Sequence, residues 1–159
     1  MSRSLGAALP PAFVRRLSQQ DLPRLLGRAL PLLTLDDHGR PHPMLCSYLE
    51  LLAVGPGVIR LAIAARSSAR RNLEARGAAT LIVAEPDVTL YVKCRASAPP
   101  LVAGELARFE LVVEEVLEDA AQDYEQGARI TRGLTYAPVP ALDSEWARTT
   151  LAALRLERS

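Results

Sequence analysis

Ser67, Ser68, Arg70, Arg71 and Asn72 form the stretch of this chain best equipped for chemistry. They follow an apolar run at 58–64 and precede another at 78–84, so hydroxyls and guanidinium groups crowd the point where a strand becomes a short helix. The first N–H groups of a helix have no partner within it and carry the positive end of its dipole. With Ser67, Ser68 and the arginines beside them, such a helix start makes a seat for a phosphate, and the ligand implied is a phosphorylated cofactor. The same residues also read as a capped surface helix with solvated arginines, and a short motif does not separate the two.

Other reactive groups are sparse. Cys46 and Cys94 stand far apart in apolar runs and read as buried, reduced thiols. His38 and His42 flank a turn, and two histidines give no basis for a metal site. No Ser–His–acid spacing, Walker loop or paired-carboxylate arrangement stands out. Tyr91, Lys93 and Arg95 share one face of a strand, read as its wet side. Trp146, near the start of the last helix, reads as an anchor of the core or of a dimer.

The elements that must position these groups follow from pattern. The 159 residues, 49% of them hydrophobic, suit one globular, soluble domain. A net charge of +1 excludes an electrostatic case for nucleic acid or an anionic membrane. Lys93 is the only lysine among 19 basic residues, a compositional bias that weakens any argument from arginine clustering alone. No run is long enough to span a bilayer and the N-terminus makes a poor signal peptide, so the cytoplasm is the expected location.

Pro10 and Pro11 open a helix, and Ser18 with Asp21 suggests a capping box for a second. Strands are expected at 32–35, 42–54, 58–64, 78–84, 88–95 and 106–117, with the first three forming a meander. In the last strand Phe109, Leu111 and Val113 share one face, and Arg108, Glu110 and Glu114 the other. The segment 67–76 is a crossover helix that Gly77 ends. A long loop at 119–142 follows, partly helical near 120–125, and then a final helix capped at Asp143 or Ser144. The expected fold is mainly β: a six-stranded antiparallel split β-barrel with one short crossover helix and helices at both termini. As one domain, 1–159 divides into N-terminal helices (1–29), barrel (30–118), loop (119–142) and C-terminal helix (143–155).

This order of elements, with the block 32–43 and the later Arg66-Ser67-Ser68-Ala69-Arg70-Arg71-Asn72-Leu73, resembles the pyridoxamine 5'-phosphate oxidase-like family of split barrels. The segments 127–135 and 145–148 are similar to uncharacterised members, and the resemblance covers about 30–154. It implies a homodimer with FMN at the interface. Leu45, Cys46 and Ser47, with Met44, would lie beside the flavin ring, while Ser67, Ser68, Arg70, Arg71 and Asn72 would hold its phosphate. The function implied is a flavin-dependent oxidoreductase acting on a small molecule that the sequence does not identify.

Two departures separate this chain from true oxidases. Ser68 and Ala69 occupy the positions of an Arg-Lys pair, which shifts the arginines to Arg70 and Arg71. Met44 replaces an arginine, and the end of the chain lacks the basic substrate motif. Pyridoxamine phosphate oxidation is therefore not expected. The alternatives are a cofactor-free dimer, a flavin store, or a binder of haem or a deazaflavin, with His38 or His42 as the only imidazoles for haem.

Overall fold

The computed structural model describes residues 2–158. In chain order they form β1 (Ser2–Gly6), α1 (Pro11–Arg16), α2 (Leu22–Leu25), β2 (Arg28–Leu35) and β3 (Pro41–Ser47). A 3₁₀ turn at Tyr48–Glu50 leads to β4 (Leu51–Gly55), β5 (Val58–Ala64), α3 (Ser68–Arg76), β6 (Ala78–Glu85) and β7 (Val88–Ala96). β8 (Leu101–Ala103), β9 (Leu106–Asp119), β10 (Leu134–Thr135) and α4 (Glu145–Arg155) complete the chain. The ten strands make one curled antiparallel sheet in the order β10-β2-β6-β7-β9-β5-β4, with β3 on β2, and β1 and β8 on β9.

Alternation decides which side of the sheet is core. On β2, Leu30, Leu32 and Thr34 are buried, and on β7 Leu90, Val92 and Cys94 are. The other face of β7 is wet, as the sequence implies. Tyr91 donates to Asp119 at 2.9 Å, Lys93 pairs with Glu115 at 2.8 Å and Arg95 pairs with Glu114 at 2.8 Å. Phe13, Leu17, Leu22 and Leu25 bring α1 and α2 onto the same core.

Several expectations are corrected. Ten strands form rather than six: β1 pairs with the end of β9, β8 with its start, and β10 with β2. The expected strand at 42–54 is broken at Tyr48–Glu50, so no three-strand meander forms; β3 pairs with β2 and β4 with β5. The break has a local cause, because the Glu50 carboxylate reaches back to accept from both the N–H and the hydroxyl of Ser47, at 2.7 and 3.1 Å. That is a helix-start signal overlooked in the sequence. The Ser18 capping box is absent, since its hydroxyl donates to the Arg15 carbonyl and α2 is only 4 residues long.

Other local signals act as read. Gly77 ends α3 in the left-handed region, φ +70°, where a side chain would be strained. β3 pairs with β2 alone and carries Pro41 and Pro43.

Burying Glu85 requires cations, and two arrive from separate elements. Arg16 of α1 and Arg28 of β2 both donate to its Oε2, and Arg16 reaches on to Asp87. Glu85 is 4% exposed, and the Tyr48 phenol is buried beside this cluster. Breaking a buried ion pair leaves uncompensated charge, so Glu85→Ala should cost about 3 kcal/mol in urea unfolding. A loss below about 1 kcal/mol, the range of exposed pairs, would show that water already screens the cluster.

Candidate functional site

α3 is positioned by its own side chains. Ala69 and Leu73 enter the core, and Asn72 donates to the Thr34 hydroxyl at 3.0 Å, tying the helix to the inward face of β2. Arg76 donates to the Asp37 carbonyl at 2.7 Å, holding the far end of α3 to the β2–β3 turn. That turn is itself organised by Asp36, whose carboxylate accepts the N–H groups of His38 and Arg40, both at 2.9 Å.

At the mouth of α3 the Ser67 hydroxyl caps the helix, accepting the Arg70 N–H at 3.1 Å. The two arginines then part company. Arg70 donates to the Ala65 carbonyl at 2.8 Å and to Glu74 at 3.1 Å, so its guanidinium is committed along the helix flank. Arg71 is exposed and folds back over the mouth, donating to the Ser68 hydroxyl at 2.9 Å. Ser68 and Arg71 are therefore the side-chain donors that stay at the mouth. Asn72 is 7% exposed and directed at Thr34, away from the mouth.

On β3 the pleat divides the remaining expected residues. Cys46 is fully buried, with its thiol donating to the Leu30 carbonyl at 3.3 Å, and burial raises its pKa well above the ordinary thiol value. Cys94 is held up to about 12 by burial, so neither thiol is a ready nucleophile. Leu45 points the opposite way and is 52% exposed, whereas Ser47 is buried beside Glu50. Because α3 packs on the inward face of β2 and Leu45 points outward, a single chain does not gather them into one cavity. Two surface clefts lie elsewhere: about 440 Å³ between the end of α3 and 96–99, and about 670 Å³ between the β6–β7 turn, the end of β9 and 120–130.

Sequence reasoning missed Glu50. Desolvation raises the Glu50 carboxyl, with the Ser47 hydrogen bonds opposing. Tyr136 is half-buried, its N–H donates to the Gly27 carbonyl at 2.7 Å, and burial together with the Glu50 carboxylate pushes its phenol up. The late loop thus lies along the start of β2, where Leu134 and Thr135 pair with Ala29 and Arg28. Gly133 permits its close approach to the end of β6, since a Cβ there would lie 3.0 Å from the Ala84 carbonyl oxygen. Tyr124 and Trp146 are instead exposed, at 78% and 42%, so Trp146 is not a core anchor.

No family model matches the chain, and no curated protein matches it significantly. Solved structures do share its architecture, and the chain has the split β-barrel fold. A protein of Lactobacillus delbrueckii provisionally assigned as a pyridoxamine 5'-phosphate oxidase aligns with TM-score 0.55 at 16% identity, over 73% of this chain and 98% of that one. An FMN-binding protein from Syntrophomonas wolfei aligns with TM-score 0.51 at 16% identity, over 70% and 92%. Nitrilotriacetate monooxygenase component B from Mycobacterium thermoresistibile gives 0.51 at 11%, over 71% and 80%. One of these neighbours is thus provisionally placed among the pyridoxamine 5'-phosphate oxidases and another binds FMN, and the fold they share with this chain is the split barrel that the order of elements implied.

The raised pKa of Glu50 has a definite consequence for stability. A carboxyl whose folded pKa exceeds its unfolded value supports the fold most below that unfolded value, 4.5, and the support fades as pH rises through the folded pKa. Glu50→Gln keeps an acceptor for Ser47 and removes the buried charge. Its Tm should equal or exceed that of the parent at pH 7, with the difference shrinking in acid. A lower Tm at pH 7 would mean that the ionised carboxylate is needed.

Proposed function

We propose that the chain is one half of a homodimer that binds a flavin, FMN, and uses it in an oxidoreductase reaction on a small molecule. The observation that carries this reading is the α3 mouth, where the Ser68 hydroxyl and the exposed Arg71 guanidinium meet at the start of a helix on a split barrel. These groups suit a dianionic phosphate, since guanidinium and helix N-terminus act on it jointly. Bound flavin would supply the electron and hydride chemistry; the chain would supply the seat and the surface for the ring.

The outward face of β3, β2 and β6 supports the dimer. Leu45, Pro43, Pro31, Leu33, Leu35 and Ile82 lie side by side there by register, all at least partly exposed. On the neighbouring β7–β9 half the same face carries the Lys93–Glu115 and Arg95–Glu114 pairs. The helices pack elsewhere: α3 on the inner face, α4 over β5, β9 and the 3₁₀ turn. An apolar patch bordered by charge is what an interface presents. A second copy is the occupant that would also bring a surface against Leu45 and the free edge of β3, where a ring can be enclosed.

Two measurements test this. Purified protein incubated with FMN and freed of excess should retain flavin absorption at about one per subunit. Ser68→Ala and Arg71→Ala should each weaken binding by about 1.5–3 kcal/mol, the range for hydrogen bonds to charged groups. Flavin held equally by both variants would remove the phosphate from the α3 mouth, and no retained flavin in the parent would favour a cofactor-free dimer. Separately, Leu45→Glu should shift the sedimenting species from dimer to monomer with unchanged far-UV circular dichroism. A dimer that survives this substitution would place the interface elsewhere.

A further inference from the structure

On the outer face of β5 and β9, beneath α4, lie two arginines more than nine-tenths buried. Arg108 is 0% exposed and Arg60 7%. Arg108 stands opposite Ala62 on β5 and Leu101 on β8, and Ala62, Ala153 and Leu154 are buried together there, with Leu52, Ala103 and Leu106 against them. Arg60 is well supplied. It donates to Glu157 Oε1 and Oε2 at 3.0 and 2.8 Å, to the Leu154 carbonyl at 3.2 Å and to Glu110 at 3.3 Å. Among the described residues Arg108 has one hydrogen-bond partner, the same Glu110 Oε1, reached by Nη1 at 2.8 Å. Its Nε and Nη2 are buried with no partner among those residues.

Those two nitrogens are not an arbitrary pair. Nε–H and Nη2–H point the same way along one edge of the guanidinium, the edge that takes the two oxygens of an oxyanion side-on. Buried donors, charged ones above all, are matched in stable folds. The carboxylates around the two cations are also unequal: Glu110 is 26% exposed and fixed in β9, whereas Glu157 is 76% exposed and lies past the end of α4. The last turn of α4 adds the negative end of its dipole, which favours cations beneath it but provides no acceptor for the Arg108 edge.

We propose that Arg108 and Arg60 form a binding site for a small oxyanion, of which inorganic phosphate is the model. The anion takes the Nε/Nη2 edge of Arg108, and Glu157 is the tail group that competes for the adjoining Arg60. The site lies under α4, separate from the mouth of α3, and does not rest on the flavin reading.

The test is carried out in a Ser68→Ala/Arg71→Ala background, so that phosphate at the α3 mouth is not read. Phosphate binding is measured by titration calorimetry, and Tm is compared in phosphate and in chloride of equal ionic strength. Glu157→Gln, on the exposed tail, should bind phosphate about tenfold more tightly, because a competing carboxylate is gone. Arg108→Lys keeps the charge but not the paired donors, and should lose the titration signal and the phosphate-specific rise in Tm. Phosphate stabilises proteins generally by exclusion from their surfaces, and that part of the rise will persist in Arg108→Lys. Two results would overturn the site: no phosphate binding by Glu157→Gln, or equal binding by Arg108→Lys. If Arg108→Lys does not fold, the Glu157→Gln titration decides by itself.

Discussion

The constraint on which this molecule depends is that one strand must serve four others. β9, 14 residues long, pairs with β5, β7, β8 and β1. A flat ribbon cannot meet so many partners around a barrel wall. The solution is an extra residue. Against β7, Lys93 lies opposite Glu115 but the next residue, Cys94, lies opposite Val113, so Glu114 is left over. Such a bulge bends the strand and flips the side-chain alternation. Before it, Ala107, Phe109, Leu111 and Val113 face the core; after it, Val116 does. The bulge bends β9 where its partners change, and the core packs on either side of it.

This also explains what could be read in the sequence. The alternation of β7 was plain because its core face is apolar at every second residue and its wet face carries Lys93 and Arg95. The end of β9 was harder, since a bulge breaks the period by which strands are recognised. β1, β8 and β10 are short and carry no pattern; they exist because β9 and β2 offer unpaired backbone, a tertiary fact that local propensity does not contain. The turn at Tyr48–Glu50 was legible in principle from Ser47 and Glu50, but the apolar residues between them read as strand.

The candidate site divides along similar lines. The residue types at the start of α3 point to a phosphate seat but do not tell Arg70 from Arg71. The difference lies in Glu74, one turn beyond Arg70, which draws that guanidinium down the helix and leaves Arg71 to bend towards Ser68. Likewise Leu45 and Cys46 look equivalent in a list but stand on opposite sides of the pleat. Asn72 was grouped with the phosphate donors by proximity alone. In the fold its amide fastens α3 to Thr34, so it fixes where the mouth stands.

Pro41 and Pro43 on the free edge of β3 bear on how copies of this chain meet before they are fully folded. An edge with a regular run of N–H donors is a template on which further strands stack into fibrils. Two residues without N–H groups interrupt that template along the margin closest to the most apolar part of the surface. Growth by edgewise strand addition along β3 is therefore suppressed, and the apolar face beside it is flanked by a margin that resists propagation.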